Sequence, residues 1–274
     1  MNTTKYAVVD IGASNTRIGW HFRSATDFKK FQFPTLKIYG NEIQAIVEFF
    51  RREKISHLIV GIASPFDVSS GKLLHPLNLK DYAKRDIVRD FRAHKIKASL
   101  FNDVELAALG EAVHGAGRGF TCVAMVSIAT GAGGALIKNK EIIRGKFNFE
   151  PGHQILELTK SLFPGKAPGS FESFISGSAF KILTGREPET LSEDYFKRSV
   201  RRFAQALANV AVFWAPEIVV LVGPVAARFE KFLPALRRKL RTMVLVTPPP
   251  QLAMGKLGGD AALIGGFAWR AMQR

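Results

Sequence analysis

A chain of 274 residues, 47% hydrophobic and 23% charged, holds enough apolar material for one large domain or two smaller ones. No run of about 18 apolar residues suggests a membrane span, no signal-peptide pattern opens the chain, and the single cysteine, Cys122, excludes an intrachain disulfide and any multi-cysteine zinc site. The 39 Lys+Arg against 23 Asp+Glu leave a formal charge of +16, a field that attracts polyanions such as nucleotides, polyphosphate and nucleic acid. The expected location is cytoplasmic, with no membrane contact.

In chain order, 5–10 reads as a buried strand, 12–15 as a turn, and 16–22 and 28–33 as two further strands of an antiparallel meander. Apolar residues at Ile43, Ile46, Val47 and Phe50 give 41–53 a helical period. A strand over 58–63, a helix over 81–92 and a strand over 97–101 follow. A helix then opens at Asn102-Asp103. Beyond a glycine-rich link at 115–119 the pattern restarts. There is a buried strand over 121–128, a turn at 130–134, and a hairpin of 135–138 with 141–144 around Asn139-Lys140. A helix over 174–183 and a long helix over 190–214 come next. A strand over 217–222, a helix over 226–240, a strand over 242–246 and a final helix over 258–272 complete the chain.

The order βββαβ thus occurs twice, each time with a glycine-containing turn after its first strand. Two copies of one topology predict an α/β protein of two lobes, 1–114 and 115–257, around a central cleft, with 258–274 returning to the first lobe. Basic residues gather at 80–97, 138–146, 197–202 and 237–241. These clusters are dispersed, lack interleaved aromatics and partly follow helical spacing. They read as solvated helix faces, so nucleic acid is not the expected partner.

The turn Asp10-Ile11-Gly12-Ala13-Ser14-Asn15-Thr16-Arg17 presents backbone N–H groups that suit phosphate oxygens, or it is an ordinary hairpin turn. Asp10, at a strand end, can hold Mg²⁺ directly or through water. Thr130-Gly131-Ala132-Gly133-Gly134 is the equivalent turn of the second copy, where glycines admit close approach of a ligand. Two such turns at equivalent positions suit a triphosphate. Gly223, between a strand and a helix, suits the nucleoside or is a simple connection. Glu150-Pro151-Gly152-His153 places an acid and an imidazole where both can bond sugar hydroxyls, or forms a surface loop. Glu172 near a helix start is either a ligand or an acid favoured by the helix dipole. Asn102-Asp103 is a helix cap or holds a general base that takes a proton from an attacking hydroxyl. No Gly-x-Ser-x-Gly elbow, Walker A sequence or His-Glu-x-x-His is present.

The chain resembles the ROK family of sugar kinases, within the actin-like ATPase and hexokinase superfamily. The resemblance rests on Asp10-Ile11-Gly12 with Thr16, Gly61-Ile62-Ala63-Ser64-Pro65 with Gly71 and Asn78, and Asn102-Asp103 through Gly110-Glu111. It continues through Gly131-Ala132-Gly133-Gly134, Glu150-x-Gly152-His153, Glu172 with Ser176-Gly177, and Gly259-Asp260. It implies a two-lobed, ribonuclease H-like actin-type ATPase fold and an ATP-dependent hexose kinase. Asp103 would be the base, and Asn102, Glu150, Gly152, His153, Glu172 and Asn78 would bind the sugar. Asp10, Gly12, Asn15, Thr16, Arg17, Thr130, Gly131, Gly133, Gly134 and Gly223 would hold nucleotide with Mg²⁺.

The family's cysteine motif between the positions of His153 and Glu172 has no counterpart here, so no structural zinc is expected. Phe66, Ala13, Ala129 and Pro224 stand where the family usually has glycine. Related polyphosphate glucokinases also lack the cysteine motif, which makes polyphosphate the alternative donor. A non-catalytic sugar- or polyanion-binding regulator is the alternative of another kind. Repressor relatives carry an N-terminal DNA-binding domain, which is not expected here because the first strand begins at residue 5. A homodimer is the default expectation for assembly.

Overall fold

The computed structural model describes residues 6–74, 79–158 and 168–273. These form an α/β protein that divides into two compact units. The first comprises 1–110, 144–148 and 260–274; the second comprises 111–143 and 149–259.

In the first unit, β1 (Tyr6–Ile11), β2 (Asn15–Ser24) and β3 (Asp27–Pro34) form the expected meander, followed by α1 (Tyr39–Glu53). β4 (His57–Ile62) and β5 (Lys97–Asn102) extend the sheet in parallel, with α2 (Ile87–Ala93) between them. The strand order is β3-β2-β1-β4-β5. β1 and β4 are apolar along nearly their whole length because both faces are covered. One face packs on α1 through Ile43, Ile46, Val47 and Phe50. The C-terminal helix Ala261–Met272 closes the other. A Cβ at Gly266 would lie 2.4 Å from a methyl of Val8, so this helix sits directly on the strand.

The expected helix over 81–92 is shorter. Lys80–Tyr82 form a single 3-10 turn, Lys84 adopts a left-handed φ of 63°, and the helix restarts only after Asp86. Asp86 caps it by accepting from the Arg89 N–H at 2.9 Å. α3 (Asp103–His114) follows β5 without an intervening loop and carries the chain from the first unit into the second.

The second unit repeats the arrangement. β6 (Cys122–Ile128), β7 (Ala132–Lys138) and β8 (Glu141–Ile143) form the meander. α4 (Phe171–Phe174), α5 (Gly177–Thr184) and α6 (Glu193–Trp214) follow, then β9 (Ile218–Val222), α7 (Pro224–Ala227), α8 (Leu233–Met243) and β10 (Gln251–Met254). The strand order, β10-β9-β6-β7-β8, is that of the first sheet read from its opposite edge. β9 and β10 again join in parallel. α6 is amphipathic, and its Phe196, Val200, Phe203, Leu207 and Val210 build the core of this unit with Phe171, Phe180 and Phe229.

Four expectations are corrected here. The helix over 174–183 is split at Ile175, because Ser176 caps a new helix by accepting from Ala179 N at 3.0 Å. The long helix starts at Glu193, after a 3-10 turn at Pro188–Thr190. The helix over 226–240 is interrupted, with a 3-10 turn at Glu230–Phe232; Pro234 stands in the first turn of α8, where its missing N–H costs nothing. The strand over 242–246 is absent. Met243 ends α8, and Leu245 and Val246 are 80% and 88% exposed. The last strand forms at Gln251–Met254, beyond Pro248-Pro249-Pro250, which cannot donate to a ladder.

Candidate functional site

Strand register puts the candidate residues of the first unit along one edge. Asp10 pairs with Gly61, and Gly61 with Phe101; Ile11, Ile62 and Asn102 form the next row. The first turn, the 63–65 segment and Asn102-Asp103 therefore all leave the carboxyl ends of parallel strands, the edge where open α/β sheets bind ligands. Gly61 makes room there: a Cβ would lie 3.3 Å from the Asp103 Cα and 3.1 Å from a methyl of Leu106.

Asn102 performs the capping. Its Oδ1 accepts from the Val104 N–H at 2.9 Å, and its own N–H donates to Glu105 Oε2 at 3.0 Å, which completes a reciprocal capping box. Its amide Nδ2 donates to the Ser64 carbonyl at 3.3 Å. Asp103 is the first residue of α3, half-buried, with Oδ1 accepting from the Val104 N–H at 2.9 Å.

Sequence reasoning did not pick out Glu105. It is 4% exposed, and besides Asn102 it accepts from Arg144 Nε at 2.9 Å, Arg144 Nη2 at 2.8 Å and Asn148 Nδ2 at 2.8 Å. Asn148 Oδ1 in turn accepts from the Phe66 N–H at 3.0 Å. The Asn102-x-x-Glu105 spacing was the available signal. Arg144 and Asn148, about forty residues away, gave none.

In the first turn, Asp10 accepts from Arg17 at 3.0 Å. Burial raises the Asp10 carboxyl above its ordinary value, and the Arg17 charge pulls against that rise. Gly12 N–H donates to the Asn15 carbonyl at 3.1 Å and closes the turn. Thr16 is fully buried and does not face outward; its hydroxyl donates to Glu42 and meets Thr35 at 3.1 Å. Burial also raises Glu42. Thr35 reaches back to the Gly12 carbonyl at 2.8 Å. Thr16 therefore braces the turn from inside.

In the second unit three segments far apart in sequence meet at Ala132. Glu172, 6% exposed, accepts from the Ala132 N–H at 2.7 Å. A Cβ at Gly131 would stand 2.4 Å from that carboxylate. Gly152 lies against the other side of Ala132, where a Cβ would fall 1.9 Å from the carbonyl oxygen. Gly134 likewise admits Pro151, 2.8 Å from where its Cβ would be. The 130–134 turn, the Glu150–His153 segment and Glu172 are thus one packed assembly, with Glu150 and His153 exposed on it.

Ser178 donates to the Thr130 carbonyl at 2.8 Å and fixes α5 to the same turn. Gly133 lies within β7, paired with Ser127 of β6. Gly223, at φ 98°, approaches the end of β6, with a would-be Cβ 2.4 Å from the Ile128 carbonyl. It therefore lies beside the second turn. Asn78 falls outside the described residues.

Among the described residues no group of three or more His, Cys, Asp or Glu side chains could hold a metal ion. None of their helices is long and apolar enough to cross a membrane.

Comparison with known proteins gives a consistent result. The model of the ROK family matches residues 6–273. A glucokinase of Halalkalibacterium halodurans is 24% identical, over 100% of this chain and 97% of its own. The crystal structure of a ROK hexokinase from Thermus thermophilus superposes with a TM-score of 0.81 at 22% identity, over 98% of this chain and 100% of that one. A ROK family glucokinase from Streptomyces griseus, solved with glucose and AMPPNP, gives 0.81 at 22% identity, over 97% and 98% of the two chains. The two five-stranded sheets have the fold of these kinases.

Proposed function

The chain belongs to the ROK family, and from that premise we propose that it is a sugar kinase that transfers a phosphoryl group from ATP to a hexose hydroxyl, with Asp103 as the general base. The observation that carries the reading is the division of labour at the start of α3. Asn102 makes the reciprocal cap with Glu105 and the tie to Ser64. Asp103, one residue on, opens α3 at the carboxyl edge of the parallel strands, with Oδ1 held by the Val104 N–H. A base in that position accepts the proton of the attacking hydroxyl as the bond to phosphorus forms.

Asn102, Glu150, Gly152, His153 and Glu172 are assigned to the sugar. The two turns and Gly223 are assigned to the donor. Glu172 serves both assignments, since its carboxylate also holds the second turn. Asp10 does not form a cation cage of its own: one carboxylate oxygen is taken by Arg17, and burial opposes its charge. This donor set fits a Mg²⁺ that arrives with the donor phosphates and keeps most of its water ligands. Bound there, the ion would offset the charge on the transferred group. Glucose is the acceptor first tested. A charge of +16 favours polyphosphate as a second donor.

The test is an array of hexoses against ATP and polyphosphate, with wild type and Asp103→Asn side by side. The variant is expected to lose about 10²–10⁴-fold in kcat with its melting temperature retained. Wild-type turnover by Asp103→Asn would refute the base. Sugar binding without transfer, by either donor, would favour a regulator.

A further inference from the structure

The polar cluster behind Asn102 is larger than a helix cap requires. A capping box needs one carboxylate oxygen on one N–H. Here Glu105 accepts from Asn102 N, from two nitrogens of Arg144 and from Asn148. The Arg144 guanidinium lies over the rings of Phe101, 4.9 Å away, and Phe66, 5.6 Å away. Phe66 is pinned through its own N–H by Asn148. Glu105 and Arg144 are 5% and 19% exposed at their side chains. These four bonds hold the Glu105 carboxylate against the backbone N–H of Asn102.

We infer that Glu105 is a positioning residue for the phosphoryl transfer, clamped by Arg144 and Asn148 so that the β5–α3 junction holds the Asp103 carboxylate in one orientation. This rests on the reading of Asp103 as the base. Two features set it apart from a contribution to stability alone. First, the clamp reaches back from α3 to the N–H of the residue directly before Asp103. Second, the same cluster holds Phe66, and the neighbouring Ser64 receives the Asn102 amide. The two segments flanking Asp103 are thereby fixed relative to each other. A displacement of the base by about 1 Å is enough to cost on the order of 100-fold in rate.

The experiment compares wild type, Glu105→Ala and Glu105→Gln in steady-state kinetics, with amide hydrogen exchange of the 100–106 peptide read by mass spectrometry. Glu105→Ala is expected to lower kcat by roughly 10–100-fold with both KM values within about threefold, and to speed exchange in that peptide. Glu105→Gln keeps an oxygen for the Asn102 N–H and is expected to fall between the two, with kcat severalfold below wild type and well above that of Glu105→Ala. Wild-type kcat in Glu105→Ala, a loss confined to KM, a kcat loss with no change in exchange, or a Gln variant no better than the Ala variant would each overturn the inference. If Glu105→Ala does not fold, Glu105→Gln decides: a severalfold fall in kcat at unchanged KM supports the clamp, and wild-type kcat overturns it. A wild-type protein that phosphorylates no sugar would sink the kinase reading instead. The exchange comparison would then still decide whether Glu105 sets the junction.

Discussion

Glu111 offers the sharpest test of how the second unit is held together. It is fully buried. Its Oε2 accepts from the Ala116 N–H at 2.8 Å, and its Oε1 from the Lys256 and Leu257 N–H groups, both at 2.8 Å. One side chain therefore ties the end of α3 to the 115–117 link and to the chain leaving β10. Replacing Glu111 by Met keeps the bulk and removes all three acceptor contacts. At about 1 kcal/mol for each N–H left without its partner, and more where the lost acceptor was charged, the expected loss is roughly 3–5 kcal/mol. For a chain of this size each kcal/mol moves the midpoint by about 2–4 °C, so thermal unfolding is expected roughly 6–20 °C lower.

Glu111→Gln is expected to be intermediate, because its amide nitrogen would face an N–H. The packing supplies a second arm. A Cβ at Gly115 would lie 2.0 Å from Glu111 Oε2, so Gly115→Ala should be costly in wild type and much cheaper alongside Glu111→Ala. A double-mutant cycle with additive losses, or a Met variant that melts within about 2 °C of wild type, would refute the reasoning.

Arg17→Met should destabilise the protein where Asp10 is ionised beside it, and the deficit should shrink as acid protonates Asp10; a deficit constant across pH 4–8 in thermal melts would contradict the pairing. For Asp10 alone the sign is opposite to that of a salt-bridged carboxylate. Burial raises its folded value, so its own contribution weakens as pH climbs from the unfolded value through the folded one and is constant above, a slope that Asp10→Asn should remove. Gly152→Ala, whose methyl would sit 1.9 Å from the Ala132 carbonyl, should displace the Glu150–His153 segment and weaken sugar binding at least tenfold by titration calorimetry. Burial also lifts the Cys122 thiol above its ordinary value, so alkylation by a thiol reagent at pH 7.5 should be slower than for a model thiol and accelerate above pH 9.

The fold was legible wherever a single period ran uninterrupted. β1, β4, β6 and β9 are apolar runs bounded by turn residues, and α1 and α6 show the helical stripe over many turns, so their type followed from pattern alone. The errors cluster where a local signal was overridden. Val244-Leu245-Val246 has strand composition, but it lies directly after α8 and before three prolines, so the ladder to β9 is taken by Gln251–Met254. Ser176 and Asp86 are caps whose effect is to restart helices, and a periodicity window runs straight across them.

The candidate site stands in the sequence as a set of motifs, and the contacts among them do not. Glycines 131 and 134 read as room for a ligand to approach, and Gly152 as part of a sugar-binding segment. Their physical reason is steric, and it appears only once Met125, Pro151, Ala132 and Glu172 are packed against them. Thr16 read as a ligand, and the contact of its hydroxyl with Glu42 on α1, 26 residues on, was not visible in the sequence.

The duplicated topology gives each unit an edge at which parallel strands end, and the side chains at equivalent edges have been put to different uses. β5 and β10 occupy the same place in their sheets, each next to the strand that follows the first crossover. At the end of β5 the chain turns directly into α3, and Glu105 holds that turn through the Asn102 N–H. At the end of β10 the chain runs through Met254 and Gly255 to Lys256, and the carboxylate that meets it is Glu111, lower on the same helix α3. Gly255 leaves the room, since a Cβ there would stand 2.9 Å from Glu111 Oε1. One twelve-residue helix thus carries three acidic residues, the proposed base, the proposed clamp and a strap, at its first, third and ninth positions. The first two serve the first unit and the last serves the second. Substitutions at Glu105 and Glu111 should accordingly separate in their effects: Glu105→Gln moves kcat more than the melting temperature, and Glu111→Gln moves the melting temperature more than kcat measured well below it. If both variants move both quantities in the same proportion, α3 acts as a single structural element and the separate roles assigned to its carboxylates are wrong.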